Sequence, residues 1–290
     1  MNRYKSVNVA SLLGIIGNIF LAIIKSIIGF LTGSQSMIAD SFNSIGDVFS
    51  SLMTYIGNKI ASIPPDWDHN FGHGKAEYIY SMLISVVMIL MSLVIFKNGI
   101  LAIVFNKKYD FSVFLIFVCI ITILVKFCLF IYTYIISKRD NNLLVKANSK
   151  DHFNDVIMTS CNLISCILAY FHIFLFDGIV SVCISLWILF GGFKIFREAY
   201  DVLMDKAIDN VSKEKVYSII KKHKEIKKIQ HFNSNPVGYK YHVSFTIFVD
   251  GNLTTFESHD IADRIEKEIM DLDEIYLAVI HVNPIEVKHE

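Results

Sequence analysis

IADSFNSIGDVFSS, residues 38–51, lies between two long apolar runs and carries Asp40, Asn43 and Asp47. A carboxylate at the centre of a membrane-spanning helix costs roughly 2.5–3.5 kcal/mol on insertion scales, so acids placed there need a partner or a purpose. At about 100° per residue the three polar side chains fall within about 60° of one another, on one helix face.

The rest of the chain supports a membrane setting. Of the 290 residues 53% are hydrophobic and mean hydropathy is +0.49, too apolar for an ordinary soluble protein. Net charge is zero, which gives no reason to expect a nucleic-acid partner. The last 85 residues nevertheless hold 26 of the 54 charged side chains. That shift divides the chain into a membrane domain, 1–205, and a soluble domain, 206–290. The five cysteines, Cys119, Cys128, Cys161, Cys166 and Cys183, all fall in apolar runs without CxxC spacing. They read as buried small hydrophobes, not as a disulfide framework or a thiolate zinc site.

Apolar stretches of spanning length lie at about 9–31, 36–60, 78–105, 111–136, 150–173 and 177–198. The amino-terminal run is interrupted by Lys25 and followed by further spans, so it reads as an uncleaved first helix. Six spans put both termini on one side. The end bearing Arg3, Lys5, Lys59, Lys75, Lys138, Arg139, Lys146 and Arg197 is basic, whereas the opposite loops offer only Lys107 and Lys108. The excess predicts cytoplasmic termini and a multi-pass protein of the plasma membrane. Beyond Lys206 the pattern reads helix, strand, strand, helix, strand, with Ser212 as the first N-cap and a turn at Asp250-Gly251. The expected fold is a six-helix membrane bundle with a small cytoplasmic α+β domain that dimerises or regulates and has no enzymatic cleft.

A second polar stripe answers the first. In NSKDHFND, residues 148–155, Asp151 and Asp155 stand four apart, and Asn148 and Asn162 extend their face by a heptad each way. Two such stripes must face each other or water. Either the carboxylates form a packing network, pairing with Lys25, Lys97 or Lys126, or they gather oxygen donors around one divalent ion. An intramembrane aspartyl protease using Asp47 and Asp155 would leave Asn43 and Asp151 idle. A passive channel or a metal sensor would not need converging carboxylates that respond to pH.

TGSQSMIADSFNSIGDVFSS, DHNFGHGKAE, KDHFNDVIMTS and the αββαβ tail together resemble the cation diffusion facilitators, dimeric divalent-metal/proton antiporters, over nearly the whole chain. The resemblance implies a ferredoxin-like tail and a transport site of Asn43, Asp47, Asp151 and Asp155. Zinc members carry His or Asp at the first of these positions and His at the third. An all-oxygen set suits hard cations and resembles the manganese-exporting branch, with Zn²⁺, Fe²⁺ or Cd²⁺ as alternatives. His152 would favour those alternatives if it ligated.

The resemblance also implies a loop metal site at Asp66, His69 and His73, and a dimer-fastening charge pair, Lys75 and Asp205. In the tail His231, His259 and His281 stand at plausible metal positions, but Thr246 and Asn283 replace expected ligands, so metal sensing is expected to be weakened. His223, His242 and His289 read as surface histidines. No cofactor is implied beyond the transported ion. Three carboxylates converging without metal cannot all stay ionised, because like charges and burial both disfavour the charged form, and metal binds their deprotonated form. Metal entry would therefore expel protons carried by Asp47, Asp151 and Asp155 themselves.

Overall fold

The computed structural model describes residues 3–32, 35–105, 113–170 and 175–285. The side chains of Asp40, Asn43, Asn162 and Cys166 lie outside the described set, as do Lys107, Lys108 and His289. Two compact units emerge: Met1–Ile63 with Ala76–Tyr200, and Pro64–Lys75 with Asp201–Glu290.

The described residues of the first unit form six long helices: α1 Arg3–Thr32, α2 Gln35–Ala61, α3 Ala76–Phe105, α4 Val113–Asp140, α5 Leu143–Tyr170 and α6 Leu175–Leu203. Among the described residues, three segments are long and apolar enough to cross a membrane: Tyr4–Ile28, Ala76–Phe105 and Ile116–Asp140. Helix α5 is of similar length but carries Lys146, Lys150, Asp151 and Asp155. α1 packs along α2 and α4 along α5, and smaller contacts join α2 to α3 and α5. A Cβ on Gly178 would come within 2.6 Å of Ile103 Cγ1, and one on Gly192 within 2.9 Å of Ile89 Cγ1. These two glycines, two heptads apart, let α6 approach α3 closely.

Burial in this unit runs opposite to that of a soluble protein. Ser11, Asn18, Ser44, Ser51, Thr54 and Asn58 are buried, while Ile16, Ile23, Leu90, Phe117, Leu124 and Phe190 face outward. Hydrocarbon is the solvent that tolerates such an exterior. Cys119 is buried, but Cys128 and Cys183 are exposed, which corrects the expectation that the cysteines lie inside. An outward thiol is accommodated because it behaves as a small apolar group.

Helix boundaries follow local chemistry. Pro64 and Pro65 stop α2, because the residue before a proline is pushed out of the helical region. The fifth helix starts at Leu143, several residues before the apolar run suggests. Asn142 accepts from the Val145 amide at 3.0 Å, and Glu77 Oε1 accepts from the Leu143 amide at 2.6 Å. Capped in this way, a polar turn continues a helix that hydropathy alone would begin later.

The second unit has the order α7 Asn210–Ile220, β1 Lys228–Val237, β2 Lys240–Asp250, α8 Thr255–Met270 and β3 Ile275–Ile285. Its sheet runs β1-β2-β3, antiparallel then parallel. Val243, Phe245, Ile247 and Val249 alternate on one face of β2 and pack with Val216 and Ile220 of α7 and Ile261, Ile265 and Ile269 of α8. Each such side chain contributes roughly 1.5–3 kcal/mol by leaving water. The N-cap of α7 is Asp209, not Ser212: its carboxylate accepts from the Val211 and Ser212 amides. Thr254 and Glu257 close a capping box on α8.

Candidate metal centre

Asp47 of α2 meets Asp151 and Asp155, one turn apart on α5, so that carboxylate oxygens from all three lie within 4.8 Å of one another. Asp47 and Asp155 are buried. The i,i+4 spacing brings the two α5 carboxylates onto one face, and the contact of α2 with α5 supplies the third.

The fourth charged group comes from α4. Lys126 Nζ donates to Asp47 Oδ2 at 2.7 Å and to Asp155 Oδ2 at 2.6 Å, with its side chain 1% exposed. Of the three lysines weighed as pairing partners, Lys97 is exposed and Lys25 donates to Ser44 Oγ at 3.1 Å. The packing network and the convergent carboxylates are thus both present. With its carboxylates ionised, the cluster carries more negative charge than one ammonium balances. Asp151 Oδ2 is buried without a hydrogen-bond partner. Such an atom calls for a cation, a water or a proton.

A cavity of about 40 Å³ opens beside the cluster, lined by Asp47, Asp151 and Asp155 and walled by Met88 and Met91 of α3, Met158 of α5 and Ile188 of α6. That is room for a bare ion or a few waters. The methionines escaped the sequence reading because they look like ordinary apolar filler. His152 is fully buried with both ring nitrogens unpartnered, yet it stands outside the three-carboxylate group.

In the second unit Asp66, His69 and His73 gather in the turn after α2, each offering a ligand atom within 4.8 Å of the others. His69 Nδ1 lies 3.4 Å from Asp66 Oδ1, and His73 Nε2 lies 3.6 Å from Asp66 Oδ2. The turn is held by Asp66 Oδ1 accepting from the His69 amide at 2.7 Å and by Gly72 at a φ of 75°. That amide, more than the neighbouring imidazoles, holds the Asp66 carboxyl below the usual carboxylate range. Phe71 rests against the rings of His242 and Tyr276. Lys75 Nζ and Asp205 Oδ1 pair at 2.7 Å within one chain.

The tail histidines are scattered by comparison. His231 is exposed at the β1 irregularity, with a φ of 51°, His259 is exposed on α8 beside Asp263, and His281 is exposed on β3. Among the described residues they form no three-ligand group. His242 contacts Asn235 and His223 contacts Glu268, so neither is idle.

Comparison with known proteins was informative for both units. The family model described as the cation efflux transmembrane domain matches residues 11–204. That of the cation efflux protein cytoplasmic domain matches residues 208–285. Among curated proteins, an uncharacterized transporter of Methanocaldococcus jannaschii is 28% identical, over 94% of this chain and 96% of its own. The manganese efflux system proteins MneP and MneS of Bacillus subtilis are each 28% identical. MneP aligns over 94% of this chain and 95% of its own, MneS over 99% and 100%.

Proposed function

The chain belongs to the cation efflux family, and from that premise we propose that it exports Mn²⁺ from the cytoplasm as a homodimer, in exchange for protons. The observation that carries the reading is the meeting of Asp47, Asp151 and Asp155 between α2 and α5 beside an ion-sized cavity. Asn43, one turn before Asp47, is the fourth ligand. Oxygen-only sites suit hard cations such as Mn²⁺. The manganese efflux names of two relatives support the same ion.

All six long helices are spans on this reading, with the polar faces of α2 and α5 turned inward. The basic residues Lys59, Lys138, Arg139, Lys146 and Arg197 support cytoplasmic termini in a plasma-membrane protein. Metal entering from the cytoplasm displaces protons from the carboxylates, the helices rearrange, and external protons displace the metal. Asp66, His69 and His73 form a separate site that modulates transport without carrying it. The domain from residue 206 onward joins two chains. The Lys75–Asp205 pair braces that junction.

A preference for zinc, iron or cadmium is the second reading. It is favoured by the unpartnered nitrogens of His152 and the thioethers of Met88, Met91 and Met158 beside the carboxylates. The deciding test is uptake into proteoliposomes under an imposed pH gradient, comparing Mn²⁺ with Zn²⁺. Gradient-dependent Mn²⁺ uptake well above Zn²⁺ is expected. Zn²⁺ preference would bring a nitrogen or sulfur donor into the site, and uptake indifferent to the gradient would end the antiport reading.

A further inference from the structure

We propose that Lys126 is a tethered competitor of the transported ion: its ammonium binds the carboxylates that hold the metal, and it yields them when the metal loads. The inference rests on the reading of Asp47, Asp151 and Asp155 as the transport site. Lys126 lies near the middle of α4, Val113–Asp140. At 1.5 Å per residue that is roughly 20 Å from either helix end, too far for a lysine stem to reach water. An intramembrane ammonium so placed persists only with anionic partners.

Those partners are two of the three carboxylates of the cluster. Nζ stands 2.7 Å from Asp47 Oδ2 and 2.6 Å from Asp155 Oδ2, bridging α2 and α5 from the α4 side. A metal ion held by the same two residues would bridge the same two helices. The cavity opens among the carboxylates toward α3 and α6, and Lys126 is not part of its lining. A metal arriving through that cavity therefore meets carboxylates already engaged from behind by a positive charge. Asp151 keeps an unpartnered oxygen as a first contact.

The arrangement gives the carrier a counter-ion that travels with it. When metal leaves, the ammonium re-engages Asp47 and Asp155, so the unloaded site is never a set of bare carboxylates out of water. The same charge weakens metal binding and hastens release. Affinity is thereby exchanged for turnover. A lysine that only braced α2 against α5 would have the opposite signature, because its removal would loosen the ligands and weaken binding.

The experiment is a Mn²⁺ binding titration on the purified full-length protein, comparing the native chain with Lys126→Gln, Lys126→Met and Lys126→Arg. Gel filtration checks that each variant is folded, and proteoliposome flux is followed in parallel. The two neutral variants should bind Mn²⁺ at least tenfold more tightly and transport it more slowly. Unchanged or weaker binding in them overturns the competitor role. If the neutral variants do not fold, Lys126→Arg carries the test. Its two-pronged guanidinium grips carboxylates better than an ammonium and should weaken Mn²⁺ binding several-fold; unchanged or tighter binding would overturn the proposal. Asp155→Asn in the same titration tests the premise separately. Because Asp66, His69 and His73 can hold a second ion, the readout is stoichiometry: an Asp155→Asn chain that binds as many Mn²⁺ ions as the native chain sinks the transport-site reading, whichever way the Lys126 variants behave.

Discussion

In the helical unit Ser44, Ser51, Thr54 and Asn58 are buried and Leu124 and Phe190 face outward, whereas in the carboxyl-terminal unit Val216, Ile247 and Ile265 are buried. The two units are built for opposite solvents. Where the exterior medium is hydrocarbon, burying an apolar side chain gains little, and cohesion comes from close packing, small residues and buried hydrogen bonds. Where the exterior is water, removal of apolar surface drives folding. The inverted unit can therefore keep a polar interior that a soluble core would exclude, and the carboxylate cluster with its lysine occupies that interior.

Four substitutions would break or sharpen this contrast. The largest effect is expected at the cluster: Asp155→Ala should lower metal flux in proteoliposomes at least a hundredfold, with the dimer retained on gel filtration. Retained flux would remove Asp155 from the transport site. Next, Ile265→Ala in the carboxyl-terminal core should cost that domain about 2–5 kcal/mol. Leu124→Ala on the outer face of α4 should change stability by less than about 0.5 kcal/mol. Thermal unfolding of the two variants in the same detergent compares them directly, and equal losses would mean the two units share one packing logic. An effect between those two is expected at Asp209, whose carboxylate caps α7. Asp209→Ala should cost about 1 kcal/mol and leave flux unchanged.

The two stripes were legible because helical periodicity is a local property. Asp151 and Asp155 share a face by spacing alone, as do Asn43 and Asp47, and a polar face between apolar runs has to turn inward. The alternation in β2 and the capping residues of α8 were readable for the same reason. Asp209 was missed because an N-cap is fixed by which backbone amides its side chain reaches, and Ser212, three residues on, carries an equally good capping group. The start of α5 was missed because Glu77 reaches it from another helix.

The sequence by itself determined that the chain has an apolar helical part and a soluble α+β part, and that acids sit on one face of each of two helices. Only the tertiary structure decided which basic group meets Asp47 and Asp155. Lys25, Lys97 and Lys126 all lie in apolar runs, and nothing local distinguishes them. Helix packing leaves Lys97 exposed, sets Lys25 against Ser44, and brings Lys126 between Asp47 and Asp155. Electrostatic pairing depends on distance between groups far apart in sequence, and that distance exists only once α2, α4 and α5 have packed.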